Sequence, residues 1–600
     1  MNYRPEIDGL RAIAVLPVIF FHAGFEIFSG GFIGVDIFFL ISGYLITTII
    51  LKELNANNFQ LKDFYIRRIR RIIPALFLMM LICIPIFLQV MQPYDLENFG
   101  QSLVATSLMA NNILLSITSD YWDPAIEFKP LLHTWSLGIE EQYYIIYPLL
   151  IIFFCGPKGK NILFILIFLI IASILTSYLF TEYDYKRLNF YSLFSRLWEL
   201  GIGGILAYLI YILRLPSFGK LMDNFLSLFG FLLILFAIFF VNYEATFPNH
   251  KILPTIIGTS LVIIFATKHT LIKRLLSMKG FVAIGLISYS LYLWHQPIFA
   301  LIRLISLKDP QNLLYIISLP LLFLIAFLSW KFENIFRNRE IIKTRSLLIA
   351  VFCTATIICS VGLATHMKEG FGNRFHNLKK NNSSIYISTK TYLTSAKPKA
   401  QKLAENNRDL PKILVLGDSF SSDLINMLLE NNVQSSYAIK GGDYNCINPE
   451  DERDNAEEVV KDAGDAHILL MAYRKFHNIV QRDCFYSFLE LLDNKKVKYL
   501  LIGTKDFGYN INPIVHGNAT SFVSPSREII DLNAEFAANL GDKYFDILKL
   551  ISNSEKEVPV ITPSGKVISE DRYHLTPAGA AFLGKRLVES LVEDKHIQLN

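Results

Sequence analysis

The sequence predicts a polytopic α-helical membrane bundle of about eleven spans, followed by an exported α/β three-layer domain built on a parallel sheet. Three observations predict it. Apolar stretches of about 18–22 residues, long enough to cross a hydrocarbon core of ~30 Å, recur from residue 10 to residue 366. The composition then turns polar at Met367 and stays polar to Asn600. Within that second half, short β-rich runs alternate with stretches of helical periodicity. The hydrophobic content of 52% and mean hydropathy of +0.38 over 600 residues fit such a division and not a soluble chain.

The spans fall near 10–28, 33–51, 73–91, 143–155, 161–180, 193–213, 225–241, 253–267, 283–302, 313–330 and 346–365. Alternate loops (52–71, 156–160, 214–220, 268–279, 331–345) hold 19 Lys and Arg, the opposite set only 6. By the positive-inside rule the first set is cytoplasmic. The N-terminus is then cytoplasmic, and the odd number of spans sends residues 367–600 outside, in a bacterium to the periplasm or cell surface. No A-x-A site follows the first span, so it reads as a retained helix. The expected organisation is a membrane domain over 1–340, an extra transmembrane helix over 341–366, a linker over 367–410 and the α/β domain over 411–600. Cys446 and Cys484 are the two cysteines of the exported half; an oxidising compartment favours pairing them.

Ionisable groups inside the spans point to a polar chamber, because charge is costly in hydrocarbon. In "RAIAVLPVIFFH" (11–22), eleven residues return almost to the same helix face, which puts Arg11 and His22 on one stripe roughly 16 Å apart. Asp36 opens the second span at the level of His22. Glu140 and Glu141 lie in "LLHTWSLGIEEQYY" with His133, and His295 lies in "ISYSLYLWHQPI". Arg196 and Glu199, at i and i+3, form a structural pair or part of the same chamber. A histidine near carboxylates suits general base work. On the cytoplasmic side, "FYIRRIRRIIP" clusters Arg67, Arg68, Arg70 and Arg71. The cluster is either a topology signal touching anionic lipid or an anion site whose guanidinium forks fit phosphate. No Walker loop accompanies it, and no metal-ligand spacing occurs. A net charge of +5 gives nucleic-acid binding little support.

In the exported half, "PKILVLGDSFSSDLINMLLENN" (411–432) reads as strand, tight turn and helix, with Ser419 at the carboxyl end of the strand. Further strands are expected in "HILLMAY" (467–473) and "KYLLIGT" (498–504). Near the end, "EDRYHLTPAGAAFLGKRL" places Asp571 three residues before His574, ahead of an amphipathic helix. A serine after a strand and a D-x-x-H before the last helix read together as nucleophile, orienting carboxylate and base.

Two family resemblances follow from these residues. "YRPEIDGLRAIAVLPVIFFH", "GGFIGVDIFFLISGYLIT", "RRIRRIIPAL", "LLHTWSLGIEEQYY", "FSRLWELGIGG" and "ISYSLYLWHQPI" resemble, in order, the acyltransferase type 3 family of membrane acyltransferases. That resemblance implies catalytic roles for Arg11 and His22 and an acyl-CoA donor met by the cytoplasmic arginines, while Asp36, Glu140, Glu141, Arg196, Glu199 and His295 are the support expected from the polar chamber. "SWKFENIFRN" keeps Glu333 where the family more often has E-x-P. "GDSF" and "DRYH" resemble the first and last blocks of SGNH hydrolases, which implies Ser419 as nucleophile, His574 as base and Asp571 as orienting acid. The oxyanion hole of that family would fall on Gly441 or Gly442 of "KGGDYNC", with Asn510 as a further candidate; its third-block Asn has no clean match, and Arg474 stands near that region.

The fusion resembles bacterial surface-polysaccharide O-acetyltransferases. It implies transfer of acetyl from cytoplasmic acetyl-CoA across the inner membrane to a sugar hydroxyl, with lipopolysaccharide O-antigen as the expected polymer and peptidoglycan or another glycan as the alternative. Acetyl-CoA is a co-substrate, with no permanently bound cofactor expected. Two other classes remain open: a transporter of lipid-linked glycan, and a membrane transferase whose exported domain is an esterase that removes acetyl groups.

Overall fold

The structure is a computed structural model that describes residues 3–599 except 119–123, 156–160, 184, 243–247, 268, 372–388, 408, 443–452, 475–478, 511, 516–521, 555 and 570–571. The chain divides into two compact units, Met1–Arg303 with Pro310–Phe371, and Leu304–Asp309 with Gly372–Asn600.

The first unit is a helical bundle. Each expected span overlaps a helix: α1 (Pro5–His22), α2 (Gly34–Asn55), α3 (Leu61–Val90), α4 (Thr134–Cys155), α5 (Ile162–Glu182), α6 (Leu193–Tyr211), α7 (Lys220–Phe240), α8 (Leu253–Phe265), α9 (Ser288–Ile305), α10 (Asn312–Arg337) and α11 (Thr344–Met367). Among the described residues, eight helices are long and apolar enough to cross a membrane by themselves. α8 is only 13 residues long, and α1 carries Glu6, Asp8 and Arg11 within its 18 residues. α4 begins at Thr134, nine residues ahead of the expected span, so Glu140 and Glu141 sit inside a helix. Proline starts α1, where its missing N–H costs nothing.

Small residues let these helices approach closely where lipid offers no hydrophobic drive. A Cβ on Gly43 of α2 would lie 1.9 Å from the Leu200 carbonyl oxygen of α6, and one on Gly203 of α6 2.1 Å from that of Leu40. The opposite character appears on α5, whose Phe164, Phe168, Ile171 and Leu175 are exposed, as a lipid-facing helix requires.

The second unit carries a five-stranded parallel sheet in the order β2–β1–β3–β4–β6. Its strands are β1 (Lys412–Gly417), β2 (Ala438–Gly442), β3 (Ile468–Ala472), β4 (Tyr499–Ile502) and β6 (Tyr544–Phe545). β5 (Phe522–Val523) and β7 (Val558–Pro559) form a separate antiparallel pair. The helices are α12 (Thr389–Asn406), α13 (Ser419–Glu430), α14 (Arg453–Gly464), α15 (Ile479–Asn494), α16 (Arg527–Leu540) and α17 (Pro577–Glu593).

Strand period decides the layers. Ile413 and Val415 of β1 pack on one face with α12, α13 and α17. Leu414 and Leu416 pack on the other with Ala456, Val460, Phe485, Leu489 and Phe536 of α14–α16. Both faces are covered, so β1 and β3 are continuous apolar runs, as in buried parallel sheets. β2 and β6 were not expected from sequence: "AIKGG" lacks β-branched alternation, and "YF" is too short to signal a strand.

Candidate active site

The first unit holds a cleft of about 810 Å³, counting the part open to solvent, lined by Arg11, Arg68, Arg71, Glu140, Tyr144, Tyr289 and Tyr292 among others. Its position follows from helix phase. On α3, residues 68 and 71 share one face by i, i+3 spacing and both line the cavity. Arg67 and Arg70 lie on the adjoining face and are engaged elsewhere. Arg67 grips both Glu53 oxygens at 2.7 and 2.9 Å. Arg70, 2% exposed, donates to the carbonyls of Phe336 and Ile342 at 2.8 Å each, and to Thr344 Oγ1. The four-arginine anion cluster is thereby corrected to two: 67 and 70 tie helix ends together, whereas 68 and 71 face the chamber.

Glu140 faces the chamber too, accepting from Ser42 Oγ and Tyr144 Oη at 3.1 Å each. Glu141, the next residue, is buried and does not line it. Arg11 lies 3.5 Å from Asp8 at its edge. Tyr292 bridges onward. Its hydroxyl is 2.7 Å from Ser136 Oγ and donates to the His133 carbonyl at 2.9 Å. Its ring centroid is 5.3 Å from that of His295 and 5.4 Å from that of His133. His295 lies 5.3 Å from His22 and 5.4 Å from His133, so three buried imidazoles cluster beside the chamber. His295 Nδ1 bonds the Tyr292 carbonyl at 2.6 Å, and its Nε2 has no hydrogen-bond partner among the described residues. The His22 carbonyl accepts from Arg303, itself 3.2 Å from Glu127.

Asp36, Arg196 and Glu199 form a separate sealed cluster rather than part of the chamber. Arg196 pairs with Asp36 and, at 2.9 Å, with Glu199. Its guanidinium lies 5.4–5.9 Å from the ring centroids of Phe39, Trp135 and Phe190. Ions so enclosed tie α2 to α6 among rings from α2, α4 and the 186–191 segment, away from solvent.

The second unit builds a site at the carboxyl end of its sheet. The chain must turn sharply after β1, and Gly417 does so at φ +140°, where a Cβ would meet the Ala472 carbonyl oxygen at 1.9 Å. Ser419 opens α13. Its Oγ lies 2.8 Å from His574 Nε2, on the segment before α17. Asp418 caps α13 by accepting the Phe420 N–H at 2.9 Å and takes the Arg474 N–H on its other oxygen at 2.8 Å. Asp571 lies outside the described residues, as does Cys446; Cys484 is disulfide-bonded.

Sequence reasoning missed a buried carboxylate here. Asp423, one turn along α13 from Ser419, accepts the Leu575 N–H at 3.1 Å, directly after His574, and pairs with Lys505 Nζ at 2.8 Å. Burial pushes the Asp423 carboxyl up from its ordinary range, with Lys505 and His574 opposing. Its signal was an acidic residue in the otherwise apolar run "DLINMLL", matched by Lys505 just past β4. Gly441 and Gly442 are residues of β2, in register with Val415 and Leu416 and so short of the level of Ser419. The Asn510 amide donates to the carbonyls of Leu304 and Ser306 in the same unit, at 2.9 and 2.8 Å. Neither glycine nor Asn510 is placed as the expected oxyanion donor.

A family profile described as an acyltransferase domain matches residues 4–365. The peptidoglycan O-acetyltransferase OatA of Listeria monocytogenes is 34% identical over 344 residues, 55% of each chain. The O-acetyltransferase OatA of Staphylococcus aureus is 33% identical over 349 residues, 55% of this chain and 56% of that one. The chain thus spans a little over half the length of these relatives.

Proposed function

Because the chain belongs to the acyltransferase type 3 family, we propose that it is a multi-pass O-acetyltransferase that moves acetyl from cytoplasmic acetyl-CoA to a hydroxyl of a cell-surface glycan. Peptidoglycan is the preferred acceptor, since a relative 34% identical over 55% of each chain carries that name; lipopolysaccharide O-antigen, the first expectation, has no such support. The observation that carries the reading is the chamber itself. Its guanidinium groups suit a pyrophosphate-bearing donor, and an imidazole cluster suited to acyl transfer lies beside it behind Tyr292.

In this reading the first unit lies in the bacterial inner membrane with its N-terminus cytoplasmic and residues 367–600 outside. Arg68 and Arg71 hold donor phosphates, and Arg11 orients the donor between them and the histidines. His22, backed by His295 and His133, takes the acceptor proton or carries the acyl group. In the second unit, His574 Nε2 removes the Ser419 proton as Oγ attacks the delivered acyl carbon, and returns it to the carrier group whose bond to that carbon breaks. A sugar hydroxyl then attacks the acyl-serine, with His574 taking that hydroxyl's proton and passing it to Ser419 Oγ as the acyl–serine bond breaks. Tethering keeps the second site at roughly millimolar effective concentration, which favours hand-over above leakage.

The test compares glycan O-acetylation in cells carrying wild type, His22→Ala and Ser419→Ala. Loss in both supports a relay through two sites. Undiminished acetylation in Ser419→Ala removes the exported serine from the pathway, and undiminished acetylation in His22→Ala removes the chamber.

A further inference from the structure

We propose that Arg474 is a catalytic residue of the exported site, its guanidinium donating to the carbonyl oxygen of an acyl ester at Ser419 and to the oxyanion that oxygen becomes. The proposal rests on Ser419 being the nucleophile.

Register places the residue. β1 and β3 are parallel neighbours in which Gly417 pairs with Ala472. Ser419 and Arg474 each stand two residues beyond that pair, at equivalent positions past the carboxyl edge of the sheet. The Arg474 N–H to Asp418 Oδ2 bond, 2.8 Å, fastens its backbone to the residue before the nucleophile. The guanidinium is fixed as well: its Cζ lies 4.1 Å from the ring centroid of Tyr573, the neighbour of His574. Serine, histidine and arginine are all half-buried, hence reachable by substrate.

Charge separates Arg474 from the other arginine on that ring. Arg572, with Cζ 5.0 Å from the Tyr573 centroid, is 3.6 Å from Asp506. The Arg474 guanidinium has no carboxylate partner among the described residues, and its buried Nε makes no hydrogen bond among them. A guanidinium with no counter-charge among the described residues, at the sheet level of a nucleophile, is suited to an anion that arises only during reaction. Three neighbouring donors are committed elsewhere. The Phe420 N–H goes to Asp418 Oδ1, the Ser421 N–H to the Asp418 carbonyl, and the Asn510 amide to two backbone carbonyls.

The step balances. As the Ser419 Oγ–carbon bond forms, the proton passes to His574 Nε2 and the carbonyl π pair moves onto oxygen. The Arg474 guanidinium donates to that oxyanion. Collapse re-forms the carbonyl and expels the leaving alkoxide, which recovers the proton from His574.

The test uses the full-length protein in detergent with p-nitrophenyl acetate, a neutral ester, and phenylboronic acid, which forms a tetrahedral adduct on a serine hydroxyl. Arg474→Gln should lower kcat roughly 10²–10³-fold with KM within about threefold, and raise the boronate inhibition constant alongside. Arg474→Lys, which keeps charge and stem, should fall between Gln and wild type and decides the matter where Gln impairs folding. A kcat within about threefold of wild type in both variants overturns the proposal. So does a defect confined to the KM of a carboxylate-bearing glycan, which would make Arg474 an acceptor anchor. Wild-type hydrolysis by Ser419→Ala overturns the nucleophile assignment instead, a distinguishable result.

Discussion

Replacing Lys505 with Met isolates one buried interaction under the exported site. The Lys505 and Asp423 side chains are 3% and 0% exposed, 2.8 Å apart, and the ammonium sits 3.3 Å from the Phe420 ring centroid. Methionine preserves much of the stem's packing on Phe420 but leaves the carboxylate without its counter-charge. Breaking a buried pair in this way costs about 3–5 kcal/mol. At about 2–4 °C per kcal/mol for a unit of this size, the melting temperature falls roughly 6–20 °C. The pH dependence has a definite sign. Burial already raises the Asp423 carboxyl, and without Lys505 it rises further. An acid with a raised folded-state pKa stabilises when protonated and loses that stability as pH climbs through the raised value. The deficit is therefore largest at neutral and alkaline pH and shrinks on acidification. Adding Asp423→Asn, which keeps an oxygen for the Leu575 N–H, should restore most of the lost stability. Thermal unfolding of the full-length protein between pH 5 and 8, followed by protease sensitivity of the second unit, measures this. A single Lys505→Met variant melting within 1–2 °C of wild type, or a deficit that grows on acidification, would refute the reasoning.

Arg68→Ala and Arg71→Ala should each weaken acetyl-CoA affinity by about 1.5–3 kcal/mol, roughly tenfold to a hundredfold, as read by isothermal titration. Arg67→Ala and Arg70→Ala should leave that affinity within about threefold, and Arg70→Ala should instead lower the melting temperature of the bundle. Arg196→Met strands two buried carboxylates and should cost about 3–5 kcal/mol, whereas the triple Arg196→Met, Asp36→Leu, Glu199→Leu variant should recover a large part of it in thermal unfolding. Gly417→Ala forces a side chain into φ +140° against the Ala472 carbonyl. It should destabilise the second unit by at least about 1–3 kcal/mol and slow phosphonate labelling of Ser419.

Much of the bundle was legible in the sequence because span length and loop charge are local properties. α10 and α11 fall where apolar length places them, and all eleven stretches overlap helices, although 283–302 is broken at Ile287. α4 started early because its first turns, which carry Glu140 and Glu141, are too polar for a hydropathy window yet face the protein interior. In the second unit, β1, the Gly417 turn and α13 were legible for the same local reason, and so were Ser419 and His574 as candidates. β2 and β6 were not, since each owes its strand conformation to the neighbour it pairs with.

By itself the sequence determined which segments are helices or buried strands, and it supplied the residue types for acyl transfer. Only the tertiary structure decided which of those residues meet. Arg68 and Arg71 are distinguished from Arg67 and Arg70 by the helices that close around α3. His22, His133 and His295 come from three separate helical regions. Asp423 finds Lys505, and Arg474 reaches the level of Ser419, through strand order and register alone. Periodicity acts over a few residues, whereas pairing across a sheet or bundle depends on contacts whose cost in chain entropy is met only when the whole unit folds.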